Sequence, residues 1–325
     1  MKSKWIYLIF LCCFSALSLA QAPSVAVSAD QKTPRVGVLL LAHGGSAQEW
    51  NEEVRHVADQ VDLTMPTEVA FGMATRSSMQ AAIDRLAARK VTEIVAVPLF
   101  VSSHSSVIDS IAYLLSQRAQ EPEDLKMFAA MDHGSGNMVM DSAMMKDPSM
   151  TAAARTPITS PVPIRMAPAL DHHRIVADIL RDRASSITRD PAHEVVVLVA
   201  HGPVPDDENK LWLQDMNVLA KDIGDQTHYV SIECLTLRDD ADAPVRDVAT
   251  EQLRETVDQI TKSGNTALIV PLLLSYGGIE EGLRKRLTGL NYRIPSQGLL
   301  PDARIVSWVI DTAQSNRLDS SRAKH

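Results

Sequence analysis

Cysteine is scarce in this chain: there are three in 325 residues, and two of them, Cys12 and Cys13, sit in an apolar N-terminal run. Once that run is cleaved only Cys234 remains, which excludes a disulfide framework in the mature monomer and leaves its stability to burial. Positive charge is in deficit as well, with 32 Lys and Arg against 40 Asp and Glu and a formal net charge of -8. No basic footprint exists for a phosphate backbone, so nucleic acid is not an expected partner. A long hydrophobic run is also missing. The longest uncharged apolar stretch, Trp5 to Ala20, has 16 residues, short of the roughly 20 that span a bilayer. Nor is there a Walker loop, a dinucleotide fingerprint, a GxSxG elbow or a paired CxxC motif, so no nucleotide cofactor is expected. What remains, at 45% hydrophobic, 22% charged and 4% aromatic, is the profile of a soluble globular protein.

Lys2 and Lys4, the apolar run and the small residues Ser18-Leu19-Ala20 read as a secretory signal peptide over 1–20. Phe10 and Leu11 before Cys12 are too bulky for a lipoprotein signal, so no lipid anchor is read. The expected location is outside the cytoplasm, in the periplasm, with no integral membrane segment after cleavage. Residues 21–34 read as a polar linker and 314–325 as a frayed tail.

Internal similarity organises the rest. Arg35 to Gly45, RVGVLLLAHGG, is matched 158 residues later by Glu194 to Pro203, EVVVLVAHGP. Val91 to Phe100 is matched by Thr266 to Leu274, each carrying Val-Pro-Leu, and Met166 to Leu180 by Gln297 to Ile310. Between the matched runs, Trp50 to Val61 and Ser77 to Ala88 show helical spacing, and Thr67 to Ala74 reads as a further strand. Strands of the second half are expected at Val195 to Ala200, Tyr229 to Thr236, Ala267 to Leu274 and Ser296 to Leu300. The expected fold is therefore α/β: two tandem domains, 35–186 and 193–313, each a parallel sheet flanked by helices, with a cleft between them. Ligands belong at the C-terminal ends of such strands.

The first half is longer by about 43 residues, roughly Gln120 to Pro163, a connection long enough to be functional or disordered. Seven of the 13 methionines lie there, between Met127 and Met150, beside Asp132 and His133. Met131, His133, Met138 and Met140 form a candidate soft-metal collector for Cu(I); methionines packed at the domain edge fit equally. Both ends of the insertion are expected outside the repeated core, so deleting 120–163 is expected to leave the fold intact.

His43 follows directly on the first strand and His104 lies just beyond the third, which brings both to one sheet edge. Two neutral imidazoles on rigid strand ends make an open site able to hand an ion onward; helix capping or loop bonding is the plain alternative for each. Asp171, His172 and His173 precede a helix at Arg174 to Arg183 and read as capping or supporting residues. Glu280, Glu281 and Arg284 to Arg286 read as a solvated face. Gly277 and Gly278 offer a backbone that an anionic substrate could approach, and Cys234 reads as a packed small hydrophobe.

The Ala-His-Gly after strand one, the Val-Pro-Leu-Phe strand leading to a loop His, and Ala-Pro-Ala-Leu-Asp-His-His together resemble the class II chelatases, the sirohydrochlorin cobalto- and ferrochelatases CbiX and SirB. The resemblance covers Arg35 to Gln117 and Pro163 to Ala184, with Glu194 to Ala313 as a more divergent copy. It implies ATP-independent insertion of a divalent ion, Co, Fe or Ni, into a tetrapyrrole such as sirohydrochlorin held in a cleft. It also implies that His43 and His104 hold the metal and accept pyrrole protons, within about 4 to 6 Å of each other. Three departures stand out. Met73 occupies the place of the family's strand-two carboxylate, where its sulfur suits Cu(I). The second half keeps His201 but has Tyr276, Gly277 and Gly278 where its other His would stand. The signal peptide is foreign to a cytoplasmic pathway. Two further readings therefore stand beside the enzyme: a periplasmic Co, Ni or Cu binding or delivery protein, and a tetrapyrrole-binding protein without turnover. The MDHGSGNMVM segment is similar to Met-Asp-His segments of bacterial copper-resistance proteins.

Overall fold

The segment Val36–Ala42 (β1) is apolar at every position, and every residue in it is buried. A strand of that kind needs cover on both faces, and it receives it: Val38, Leu40 and Ala42 enter one core, Leu39 and Leu41 another. In the computed structural model, which describes residues 34–45, 47–132 and 152–317, β1 lies at the centre of a four-stranded parallel sheet. Its partners are β2 (Thr67–Phe71), β3 (Glu93–Pro98) and β4 (Ile164–Met166), in the order β2-β1-β3-β4. The helices are α1 (Gln48–Asp62), α2 (Arg76–Ala88), α3 (Ser106–Leu114), α4 (Leu125–Asp132) and α5 (Arg174–Ile187).

The second half repeats the scheme. Strands β5 (Glu194–Ala200), β6 (Ser231–Thr236), β7 (Thr266–Leu272) and β8 (Tyr292–Arg293) pair in parallel in the order β6-β5-β7-β8. Their helices are α6 (Asp206–Gly224), α7 (Ala243–Lys262), α8 (Ile279–Arg286) and α9 (Ala303–Ser315). All described residues belong to one compact unit. Among them no helix is long and apolar enough to cross a membrane.

The layers follow from which residues share a core. A central core draws Val54, Val57 and Val61 of α1, Ile179 and Leu180 of α5, Met216 and Leu219 of α6, and Ile305 and Val309 of α9 together between the two sheets. The halves exchange partners inside it, for α1 packs on α9 and α5 on α6. The outer face of the first sheet is covered by α2, α3 and α4, that of the second by α7 and α8. Helices α6 and α1 thereby reach the strand-end loops of the opposite half, Trp212 of α6 bonding to His104 and Ser275 to Glu53 of α1.

Two expectations need correction. The last strand is Tyr292–Arg293, not Ser296 to Leu300. Pro295 interrupts the ladder because it has no N–H to give, and only the isolated bonds Leu299 N–H to Leu273 O (2.8 Å) and Leu300 N–H to Leu274 O (2.7 Å) follow β7 further. The insertion is also not external to the core. Leu125, Phe128 and Ala129 of α4 are buried in the outer core of the first sheet, with Ile158 and Val162 packed against it. Gln80 and Arg76 of α2 bond to the carbonyls of Thr159 and Thr156. Residues 133–151 lie outside the described residues, and with them His133, Met138 and Met140. Met131 lies in α4, its side chain outside the description.

Candidate functional site at the strand ends

β1 and β3 are direct neighbours in register, with Leu41 opposite Pro98. The loops carrying His43 and His104 therefore leave the same edge of the sheet. His43 is exposed, and its Nδ1 lies 2.6 Å from the carbonyl oxygen of Gly44. A carbonyl only accepts, so Nδ1 carries the proton and the Nε2 lone pair is left for an ion. Gly44, at φ +78°, permits that tight turn at no steric cost. Asn51, eight residues after the histidine, closes the turn from α1 by accepting from Gly45 N (3.1 Å) and donating to Gly45 O (2.7 Å).

The same device recurs in the second half. His201 Nδ1 donates to Gly202 O at 2.9 Å, Gly202 has φ +75°, and Asn209 again stands eight residues on, taking the Thr236 hydroxyl at 2.8 Å. His201 Nε2 lies 3.5 Å from an Asp240 carboxylate oxygen.

The His104 loop is held from both halves. Within the first, Asp171 accepts from Ser103 N (2.5 Å) and Ser103 Oγ (2.8 Å), and Ser102 Oγ accepts from His104 N (3.1 Å). From the second, Trp212 donates its indole N–H to His104 O at 2.6 Å. Asp215, three residues further along α6, places Oδ2 3.5 Å from His104 Nε2 and accepts from His172 Nδ1 at 2.7 Å through Oδ1. Glu208 completes that face of the helix. Burial raises its carboxyl above the ordinary glutamate value, Asp207, Asp109 and Asp124 add to the rise, and only His104 opposes it. Sequence reasoning missed Glu208, Trp212 and Asp215. Their i, i+4, i+7 spacing marks one helix face, but nothing in the sequence says that this face meets the other half.

The remaining candidates fall out as follows. Asp171 and His173 have the supporting roles expected of them: His173 is the N-cap of α5, its Nδ1 accepting from Ile175 N at 3.3 Å. Met73, in the turn after β2, packs against the outer core of the first sheet, which gives its side chain an apolar task. Tyr276 turns its hydroxyl inward to Pro295 O (3.1 Å), and burial pushes its phenol up to about 12. The Gly277 and Gly278 N–H groups are taken by Glu280 Oε2 at 3.0 and 2.9 Å, so Glu280 caps its own helix there and is not part of a merely solvated face. Cys234 is packed against the central core, and burial pushes its thiol up to about 12. Among the described residues no three His, Cys, Asp or Glu side chains converge on a metal position.

Comparison with known proteins agrees with this architecture. The CbiX family model matches residues 37–187. A sirohydrochlorin cobaltochelatase of Methanothermobacter thermautotrophicus is 30% identical over 90 residues, which are 27% of this chain and 63% of the relative, less than two thirds of its length. Among solved structures, SirB from Bacillus subtilis with Fe3+ matches at TM-score 0.57 and 15% identity, over 88% of this chain and 97% of that one. The sirohydrochlorin chelatase SirB from Bacillus subtilis subspecies spizizenii, in complex with cobalt, matches at TM-score 0.54 and 14% identity, over 87% and 95%. These two likenesses speak for the fold. The family match over residues 37–187 and the 30% identical relative show that this part of the chain is similar to the class II chelatases.

Proposed function

We propose that this protein inserts a divalent ion, Co(II), Ni(II) or Fe(II), into a sirohydrochlorin-type tetrapyrrole without nucleotide. The observation that carries this reading is the placement of His43 and His104 on adjacent parallel strand ends, with the Nε2 lone pair of His43 uncommitted. The two imidazoles hold the ion from one side and leave its other positions to the macrocycle. Metallation exchanges two pyrrole N–H protons for the ion, so proton acceptors are needed beside it. Glu208, whose carboxyl burial makes more basic than an ordinary glutamate, is suited to take one of them in place of the carboxylate that Met73 replaces.

A second reading is favoured by Met73 itself, a thioether where the reaction would use an acid: a protein that binds and delivers metal, or holds the tetrapyrrole, without turnover. One experiment separates them. Purified protein is incubated with sirohydrochlorin and each ion, and the absorbance change of metallation is followed. Acceleration over the protein-free rate supports the chelatase, and stoichiometric Co(II) binding without acceleration supports delivery. A shifted macrocycle spectrum without metallation supports tetrapyrrole binding alone. We further propose that the protein works after export, on the strength of the leader pattern over Met1 to Ala20. Fractionation of cells expressing a C-terminally tagged chain tests that.

A further inference from the structure

The backbone of His104 is fixed on three sides, by Ser102, by Asp171 through Ser103, and by Trp212. Its ring is still free to turn about two side-chain torsions, and which nitrogen faces an incoming ion depends on what grips the ring. Asp215 is the group in position to do so. Its side chain is 16% exposed and Oδ1 is occupied by His172. Oδ2 is buried and has no hydrogen-bond partner, with His104 Nε2 3.5 Å away. A buried carboxylate oxygen lacking a donor is destabilising, because the water it gave up is not replaced. The His104 state that relieves this cost carries its proton on Nε2. A neutral imidazole has one proton only, so Nδ1 is then the nitrogen with a free lone pair.

We propose that Asp215, carried by α6 of the second half, is a positioning residue for the first-half metal site: it holds His104 by Nε2 and turns Nδ1 to the ion. This rests on the chelatase reading of His104 as a ligand. Carboxylates that orient metal-bound histidines through the second ring nitrogen are a general device of metal sites. Here the carboxylate comes from the opposite half of a duplicated chain, and the two ligands offer different nitrogens, Nε2 from His43 and Nδ1 from His104.

The test uses the whole protein. Ring nitrogen-15 shifts in the metal-free state report the His104 tautomer directly, assigned by loss of the signal in His104→Ala. Wild type is expected to show the Nε2–H form, Asp215→Leu to lose that preference, and Asp215→Asn, which keeps an acceptor oxygen, to retain part of it. Co(II) titration of the same proteins is expected to weaken by about 10- to 100-fold in Asp215→Leu, less in Asp215→Asn, and not at all in His104→Ala/Asp215→Leu relative to His104→Ala alone. Thermal melts verify folding; if Asp215→Leu does not fold, Asp215→Asn decides by the same two readouts. An unchanged tautomer and Co(II) affinity in folded Asp215 variants, with binding lost in His104→Ala, overturns this inference alone. Undiminished Co(II) affinity in His104→Ala overturns the metal-site reading and this inference with it.

Discussion

Met73 and Arg238 occupy the same place in the two halves, two residues past the last paired residue of the second strand, Phe71 in one and Thr236 in the other. In the first half the place is neutral and its side chain turns to the core. In the second it holds a guanidinium that donates to Pro203 O and Val204 O in the loop that follows His201, and to Asp206 at the start of α6. Arg238 is paired with Asp206 at 2.6 Å, and the positive charge it adds beside the His201 loop works against a cation there. The His104 place is lost in the second half too, since Gly277 stands six residues past Pro271 as His104 stands six past Pro98. A side chain at Gly277 would crowd Trp50 of α1, whose Cδ1 lies 3.3 Å from where its Cβ would be. The duplicated fold is thus kept while, on the proposed reading, its chemistry is divided: one half carries the two ligand histidines, and the other presents α6 to one of them. Four experiments press on that division.

The largest effect is expected from the one segment that the second half does without. Removing residues 120–163 would take Leu125, Phe128, Ala129, Ile158 and Val162 out of the first sheet's outer core. At about 2–5 kcal/mol for each large side chain lost, that exceeds or matches the whole stability of an ordinary domain, about 5–15 kcal/mol. The deletion is expected to abolish cooperative unfolding in a circular-dichroism melt. Deleting only 133–151 spares every one of those contacts and is expected to melt close to wild type. That shorter variant is also the one on which Cu(I) collection by Met138 and Met140 can be tested.

Next comes a pair that the first half lacks. Where β1 begins with Val36, β5 begins with Glu194, 1% exposed, whose Oε1 receives Arg293 and the N–H groups of Arg189 and Asp190. Burial alone would raise its carboxyl, but those donors more than offset it and hold it below the ordinary glutamate value. Arg293→Met leaves the charge without its counterion and is expected to cost about 3–5 kcal/mol at pH 7; Glu194→Val with Arg293→Met, replacing both, should recover most of it. Because the folded-state value is depressed, the stabilisation by Glu194 is present above the unfolded value near 4.5 and is lost as pH falls through the folded one. The stability gap between wild type and Glu194→Gln, read from denaturant melts, should narrow below about pH 4.5.

How much of this division was legible beforehand can be judged residue by residue. The matched runs at β1 and β5 and at β3 and β7 are apolar at nearly every position, because parallel strands buried on both faces leave no room for polar residues; they reveal the duplication directly. The Ala-His-Gly turns are legible for a related reason, since the glycine after each histidine sits at positive φ. By contrast, α4 hides its core contribution. Leu125, Phe128 and Ala129 have helical i, i+3, i+4 spacing, yet they adjoin a methionine-rich stretch whose composition reads as a loop. Asp215 and Glu208 are less visible still, because their role depends on α6 crossing to the other half, and no local pattern encodes which surface a helix face will meet.

The third experiment asks whether the ligands reside in one half only. His104→Ala is expected to weaken Co(II) binding by more than about 100-fold, above the range typical for an outer-shell partner, which corresponds to about 2.7 kcal/mol. His201→Ala is expected to leave it unchanged. Isothermal titration with both variants gives the comparison at once. Equal losses would mean that both halves contribute to one ion and that the charge of Arg238 does not exclude it.

The smallest effect is expected from an attempt to give the second half its histidine back. Gly277→His places an imidazole where His104 stands in the first half, but its Cβ would meet Trp50 at 3.3 Å, so the indole or the loop has to yield by a few tenths of an ångström. Ser275, two residues before, is bonded to Glu53 of α1, which ties the loop to the helix and limits how far it can move. Overpacking of this kind costs about 1–3 kcal/mol, and the exposure of Gly277 to solvent puts the expected loss near the low end. No second Co(II) equivalent should appear, since Arg238 still presents its charge to the His201 loop. Combining Gly277→His with Arg238→Met removes that charge, and a second equivalent gained only in the combination would identify Arg238 as the group that closed the second site. A second equivalent already present in Gly277→His alone would show instead that the missing histidine was the whole difference between the halves.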